Sequence, residues 1–426
     1  MNISNIHRGW IVLAVTLLNV FASLGLARFS FAVILPFMRD GLNISFTQAG
    51  LVASAMFFGY LASAFFTGKF IHRYKEKKVI IASMIMIMAG MLLSARAEQF
   101  WLAYLSCLIM GAGSGAGNIT SLGLAGKWFS PSHRGKALGI TNSGSGLGMV
   151  FSGLVIPLAM MLHTEGWRIG WGILAFCVVM ILLLNILFLE EDPKKLNLKP
   201  IGIGTEQKSK QLHRNTRLMI EDVYRNKYIL LIGMVYLTWG FSYLIFSTFF
   251  VDFLMIEANI EMHLAGRLFA IAGISSIVSG FIWGSISDRI GRMFTLFLIY
   301  IIQTILLLAF ALTSSYYLLL IETIIYAMTL WAVPTVIVAA ISDITVPVKT
   351  PLAIGYITLF FGIGQWVSPV ITGSIVESSG YTMAFYLSSA VCFIGGIGCF
   401  FLHLALNRQR RSHLTGVLRE ASNNEG

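Results

Sequence analysis

The stretch Gly284-Ser-Ile-Ser-Asp288-Arg289-Ile-Gly291-Arg292 is a short polar, basic interruption between two long apolar runs, and 216 residues before it stands Gly68-Lys-Phe-Ile-His72-Arg73. The offset is not local. Working outward, residues 49–148 slide onto 265–364 without a gap, and Ala49/Ala265, Gly50/Gly266, Ala137/Ala353, Gly139/Gly355, Gly146/Gly362 and Gly148/Gly364 coincide. That register runs through four apolar segments and their connections. The chain is therefore read as two related halves of six helices each, with small residues recurring where helices must approach closely.

Of the 426 residues, 57% are hydrophobic and 12% charged, and the mean hydropathy is +0.79. These values lie outside the range of soluble globular chains and indicate an integral, all-α membrane protein. The first apolar run, 10–38, is longer than the core of a cleavable signal and lacks a small-residue cleavage pattern, so it is read as a span. Cys107, Cys177, Cys392 and Cys399 all lie inside apolar runs. No disulfide is expected, and no metal-ligand spacing occurs.

At about 20 apolar residues per crossing, twelve spans are expected at 10–38, 47–70, 79–95, 100–125, 137–162, 169–189, 228–255, 264–286, 293–312, 317–341, 351–375 and 383–406. The divisions are a first half (1–189), a linker (190–227), a second half (228–406) and a basic tail (407–426). Of the 30 Lys and Arg, 24 fall in the termini, the linker and the connections on the same side. The opposite connections hold Arg39, Arg96 and Arg168. By the positive-inside rule both termini and the linker are cytoplasmic, in a multi-pass protein of the plasma membrane, for a bacterium the inner membrane. The net charge of +11 thus reports orientation and requires no nucleic-acid partner. Residues 215–225 are expected to form a short amphipathic helix on the membrane surface, and Arg408-Gln-Arg-Arg411 to touch anionic lipid.

The stretch at 284–292 resembles the G-x-x-x-D-R-x-G-R signature of the major facilitator superfamily, and 68–73 is its degenerate counterpart. The resemblance extends over the twelve spans, to about residue 406. It implies a secondary transporter working by alternating access, with no cofactor, and a repeat of this size in a membrane chain points the same way. It also implies that Asp288 and Arg289, with Gly284 and Arg73, form a cytoplasmic gate holding the halves together in the outward-open state. His72 stands where Asp is usual, so the first-half latch is either weakened or sensitive to pH, unless His72 is simply a solvated loop residue. Lys127-Trp-Phe with Arg134-Gly-Lys-Ala-Leu-Gly139 resembles oxalate/formate and monocarboxylate-type carriers. Gly25-Leu-Ala-Arg28-Phe-Ser-Phe with Leu35-Pro36 resembles the YbfB/YjiJ-like branch. The Gly-Pro pair of drug antiporters is absent from span five.

Arg28 is the sharpest single feature. An unpaired guanidinium inside an apolar run costs at least ~2.5–3.5 kcal/mol, so it must face a wet cavity, pair with an acid on a neighbouring helix, or snorkel outward. A cavity position makes it a bidentate anchor for a carboxylate. Glu322 shares a helix face with Tyr326 and Thr329. It is either a proton-coupling group, with a direct Arg28 pair among the arrangements to test, or an interfacial acid. Asp252 is the next acid for proton coupling, and it and Arg267 also suit an external seal. Asn118, Asn142, Tyr243, Trp331 and Gln365 complete the expected cavity lining, each also explicable by hydrogen bonds between packed helices.

No GxxxxGK[ST] motif is present, so ATP-driven transport is unsupported, and the histidines lie mostly outside the spans, which disfavours an intramembrane enzyme. The expected substrate is a small organic anion, with protons and membrane lipids as further partners of a monomer. The alternatives are export of amphipathic drug-like compounds and a transporter-like receptor.

Overall fold

A computed structural model describes residues 7–163, 165–202, 221–346 and 348–424. Long apolar runs form helices because a helix satisfies every backbone N–H and C=O within its own segment. In order these are α1 (Arg8–Leu42), α2 (Phe46–Tyr74), α3 (Glu76–Ala95), α4 (Phe100–Trp128), α5 (Pro131–Leu162), α6 (Gly166–Phe188) and α7 (Lys227–Ile256). Then come α8, bent by 41° between Met262–Ile277 and Ser279–Ile290, α9 (Arg292–Leu312), and α10, broken at Trp331 between Tyr316–Leu330 and Ala332–Ile344. A capping box of Ser45 and Gln48 starts α2, and Asn226 caps α7.

The last helical stretch, Thr350–Asn424, contains one non-helical residue, Gly380, at φ 80° and ψ 175°. Gly364 lies against Leu237 and Gly240 of α7, while Gly395 and Gly398, on the other side of Gly380, lie against Thr238 and Val235. A straight helix would hold Gly364 and Gly398 about 50 Å apart. Both instead meet the same two turns of α7, so the chain reverses at Gly380 into α11 (350–379) and α12 (381–424). Among the described residues the spans number twelve.

The 216-residue repeat is visible in backbone geometry beyond the sequence matches. Asn43, which ends α1, and Asn259, which follows α7, both have φ 51°. Lys75 and Gly291, each between the second and third helices of its half, have φ 69°, ψ 163° and φ 93°, ψ 146°. The latter region is open to glycine and strained for other residues by ~1–3 kcal/mol. Lys75→Gly is therefore expected to stabilise the protein by about 1 kcal/mol once the extra chain entropy of glycine is subtracted. A stability unchanged or lowered in detergent unfolding would show that Lys75 gains compensating contacts.

The halves meet along two seams related by the same offset. In α2 and α11, a Cβ on Gly50 would strike the Pro369 carbonyl, and one on Gly373 the Phe46 carbonyl. In α5 and α8, a Cβ on Gly266 would strike the Gly153 carbonyl and Pro157. Both seams lie toward the face opposite the termini, here the far face. Farther along the same four helices, a Cβ on Gly68, Gly139 or Gly355 would meet nothing within 4 Å, and one on Gly284 only Thr335. The halves converge at the far face and diverge at the terminal face.

Two expectations change in detail. Arg39, assigned above to an external connection, lies in the last turn of α1 and is buried, because the helix continues until Asn43 adopts the left-handed conformation. The basic tail is helical as far as Asn424. The start of the linker folds back on the first half: Ile201 pairs in both directions with the backbone of Trp128 and Ser130, and the Trp128 indole donates to the Glu190 carbonyl at 3.0 Å. Most of the expected surface helix, 215–220, lies outside the described residues.

Candidate functional site

Midway along α1 the helix widens into a π-helical segment, Phe21–Phe29, and α7 has one at Ile245–Phe249. Such segments are rare and concentrate at functional sites. Here Gly25 sits directly on Gly148 of α5, and Ser114 of α4 donates to the Ser23 carbonyl. These contacts hold one side of α1 against the first half, and Arg28 reaches across to the second. Its Nη2 donates to the Tyr243 hydroxyl oxygen, which also accepts from Gln365 Nε2. The guanidinium lies 4.6 Å from the Phe57 ring centroid and 5.7 Å from those of Phe29 and Tyr243, within the range of cation–π attraction.

Around this junction the aromatic rings are ordered. Tyr243 stacks on Trp239 at 4.4 Å, Trp239 on Phe361 at 5.3 Å, and Phe361 on Tyr236 at 4.6 Å. The Trp331 ring meets Phe29 edge-on at 6.0 Å. The Tyr60 hydroxyl accepts from Asn118 Nδ2 at 3.0 Å, and Tyr60 stands one turn along α2 from Phe57, whose ring faces the Arg28 guanidinium. Arg28, Tyr243 and Gln365 are thus in direct contact, Asn118 joins through Tyr60, and Trp331 borders the group through Phe29. Asn142, half-buried on α5, takes no part in the hydrogen bonds of the cluster.

The charge balance of this region is unusual. Arg28 is only 7% exposed, and among the described residues it makes no ion pair with a carboxylate. The other buried charges among the described residues, Arg39 and Asp252 in a separate cluster, neutralise one another. Among the described residues, Arg28 is therefore the buried charge that has no counter-charge.

Asp252 and Arg39 belong to a separate cluster at the far face. Arg39 Nη1 lies 2.7 Å from Asp252 Oδ2, and its Nε and Nη2 reach Asp40 Oδ1 at 3.0 and 2.8 Å. Tyr381 donates to the same Asp252 oxygen, and the Arg39 guanidinium covers Phe46 at 4.1 Å. Nearby, Glu377 of α11 accepts from Ser45 Oγ and from the Thr47 backbone N–H, each at 3.0 Å, and from the Thr47 hydroxyl. These contacts join the two halves.

Glu322 stands apart from both clusters. It accepts from Thr313 at 3.0 Å and its second oxygen has no partner among the described residues, so the Arg28–Glu322 pair does not form here. Arg267 is exposed. At the terminal face Asp288 pairs with Arg292 at 2.5 Å and Arg292 with Asp343 at 3.0 Å, all within the second half. Arg289, His72 and Arg73 are exposed, Arg73 over Tyr74 at 5.4 Å. Among the described residues, none of Asp288, Arg289, His72 and Arg73 forms an ion pair with the opposite half.

Sequence reasoning missed Phe57, Tyr60, Phe361, Arg39, Tyr381 and Glu377. For Arg39 a signal existed: it precedes Asp40 and Asn43, a helix-ending pattern four residues later.

Comparison with known proteins places this geometry. A hexuronate transporter of Bacillus subtilis is 23% identical over 393 residues, covering 88% of this chain and 89% of that protein. A probable sulfoacetate transporter of Cupriavidus necator is 22% identical over 421 residues, with coverage of 92% and 94%. Among solved structures, a bacterial homolog of the human lysosomal transporter Spinster, inward-facing and unoccupied, superposes with a TM-score of 0.75 at 15% identity, over 93% and 96% of the two chains. The nucleoside transporter NupG gives 0.73 at 14% identity, over 93% and 99%. The Major Facilitator Superfamily model matches residues 17–338, most of the chain, and with twelve helices in two repeated halves the protein belongs to that superfamily.

Proposed function

We propose that the protein moves a small organic anion of the carboxylate class across the membrane by alternating access, with Arg28 as the anchor for the anionic group. The observation that carries this reading is the buried guanidinium with neutral partners alone. A buried cation without a counter-charge is costly, and an anion arriving from solution relieves that cost while the site forms bidentate, charge-assisted bonds to it. A cavity for amphipathic cations would want the opposite sign. The hexuronate and sulfoacetate named for the two relatives are organic anions, which supports the class without choosing the molecule.

In this reading the terminal face is cytoplasmic, on the Lys and Arg asymmetry of the connections, and the structure corresponds to the inward-open state. Asp288 and Arg289 then engage the first half when the terminal face closes. Proton coupling is assigned first to Asp252, whose bond to Arg39 must break for the far face to open, and next to Glu322. The direct test is substrate-induced stabilisation. A panel of carboxylates should contain members that raise the melting temperature of the purified protein, whereas amphipathic cations should not. A panel in which only cations stabilise would reverse the assignment.

A further inference from the structure

We infer that the central site accepts a singly charged anion, with the Tyr60 hydroxyl as its second donor after Arg28; this rests on the anion reading above. The charge class follows from what surrounds Arg28. Its neighbours Tyr60, Tyr243, Gln365 and Asn118 are neutral, and the indole N–H groups of Trp239 and Trp331 are buried donors without partners among the described residues. One carboxylate cancels the single positive charge. A second would enter as an unpaired charge in a medium of low dielectric, where it is strongly disfavoured. By this criterion the site suits a sugar acid such as a hexuronate and not a doubly charged acid such as sulfoacetate.

The role of Tyr60 follows from hydrogen-bond direction. Its oxygen is already used as an acceptor by Asn118 Nδ2 at 3.0 Å, which leaves the phenolic proton to be donated elsewhere. Phe57 and Tyr60 are three residues apart on α2 and share a face, and Phe57 already lies against the Arg28 guanidinium at 4.6 Å. Unlike the fully buried Tyr243, Tyr60 is partly exposed. A carboxylate drawn to Arg28 thus meets a neutral donor held in place by Asn118, which acts as a positioning residue. The two donors come from different helices, so they also fix the orientation of the ligand.

The experiment uses the full-length protein in lipid nanodiscs and two matched pairs of acids, gluconate with glucarate and lactate with malate. Near neutral pH, the monoanion of at least one pair should bind, and its dianionic counterpart at least about tenfold more weakly. The gap should close as the buffer is acidified enough to protonate the second carboxyl. Tyr60→Phe should weaken binding of the monoanion about tenfold, the scale of one lost hydrogen bond to a charged group, in protein that still unfolds cooperatively. Asn118→Leu should weaken binding in the same direction, and the double variant no more than Tyr60→Phe alone, because Asn118 acts only by positioning the Tyr60 hydroxyl. Dianions that bind as tightly as monoanions would overturn the charge class. Unchanged affinity in Tyr60→Phe would overturn the donor role. If none of the four acids binds, both statements fall for this panel, and stabilisation by other carboxylates then decides separately whether the anion reading survives.

Discussion

Arg28→Ala is expected to abolish transport without weakening the fold. Truncating one partner of a buried charge pair costs about 2–5 kcal/mol, which corresponds to a loss of roughly 30-fold to several thousand-fold in substrate affinity. In the free protein the sign is opposite. Arg28 has no carboxylate partner among the described residues, so its removal deletes an uncompensated buried charge while Tyr243 keeps its bond from Gln365. The melting temperature of the Ala variant should be equal to or above that of the parent. Arg28→Lys should bind more weakly than the parent but better than Ala, because the ammonium keeps the charge and loses the planar fork. The measurement is uptake into proteoliposomes beside thermal unfolding without substrate. A variant that unfolds several degrees early and transports normally would make Arg28 a structural residue.

The second large effect is expected at the far face. Asp252→Asn removes the charge from a contact present only while that face is closed, since Arg39 and Asp252 belong to opposite halves. Hydrogen bonds to charged groups are worth about 1.5–3 kcal/mol, so the ratio of closed to open molecules should fall on the order of 10- to 100-fold. Spin labels at Leu42 and Glu261 should then report a longer distance in the variant. Arg39→Ala should act in the same direction and, through the loss of the bonds to both Asp252 and Asp40, more strongly. If Asp252 is the proton-coupling group, the Asn variant should also exchange substrate without responding to an imposed pH gradient. An unaltered distance distribution would show that the glycine seams alone hold the far face shut, and uptake that still follows the gradient would pass the coupling role to Glu322.

What could be read in advance depended on how each residue signals itself. The twelve spans and their repeat were legible because apolar runs and paired glycines are statements about length and close approach, which sequence carries directly. Arg28 was legible because a charge inside an apolar run admits few explanations, and Tyr243 and Gln365 because polar groups in such runs are sparse. Phe57 and Phe361 gave no such sign: a ring packed in the Arg28 cluster and a ring facing lipid look alike in a hydrophobic segment. Arg39 was misplaced since the apolar run was ended at the adjacent charges Arg39 and Asp40, whereas the helix ends where the backbone of Asn43 turns left-handed. Glu322 drew attention by the same rule as Arg28, yet it lies near the helix start, where a threonine hydroxyl is partner enough for one of its oxygens.

The pairing of Lys75 with Gly291 carries a consequence for the history of the molecule. If the two halves descend from one duplicated unit, the bend between the second and third helices was set when both copies could hold glycine there. The second copy has kept it. The first holds the same bend with a lysine that backbone sterics disfavour, and Asn43 and Asn259 retain the same left-handed turn. On that account the path of the chain has outlasted the residues that first made it easy to follow, and ancestral reconstruction of the first half should restore glycine at position 75.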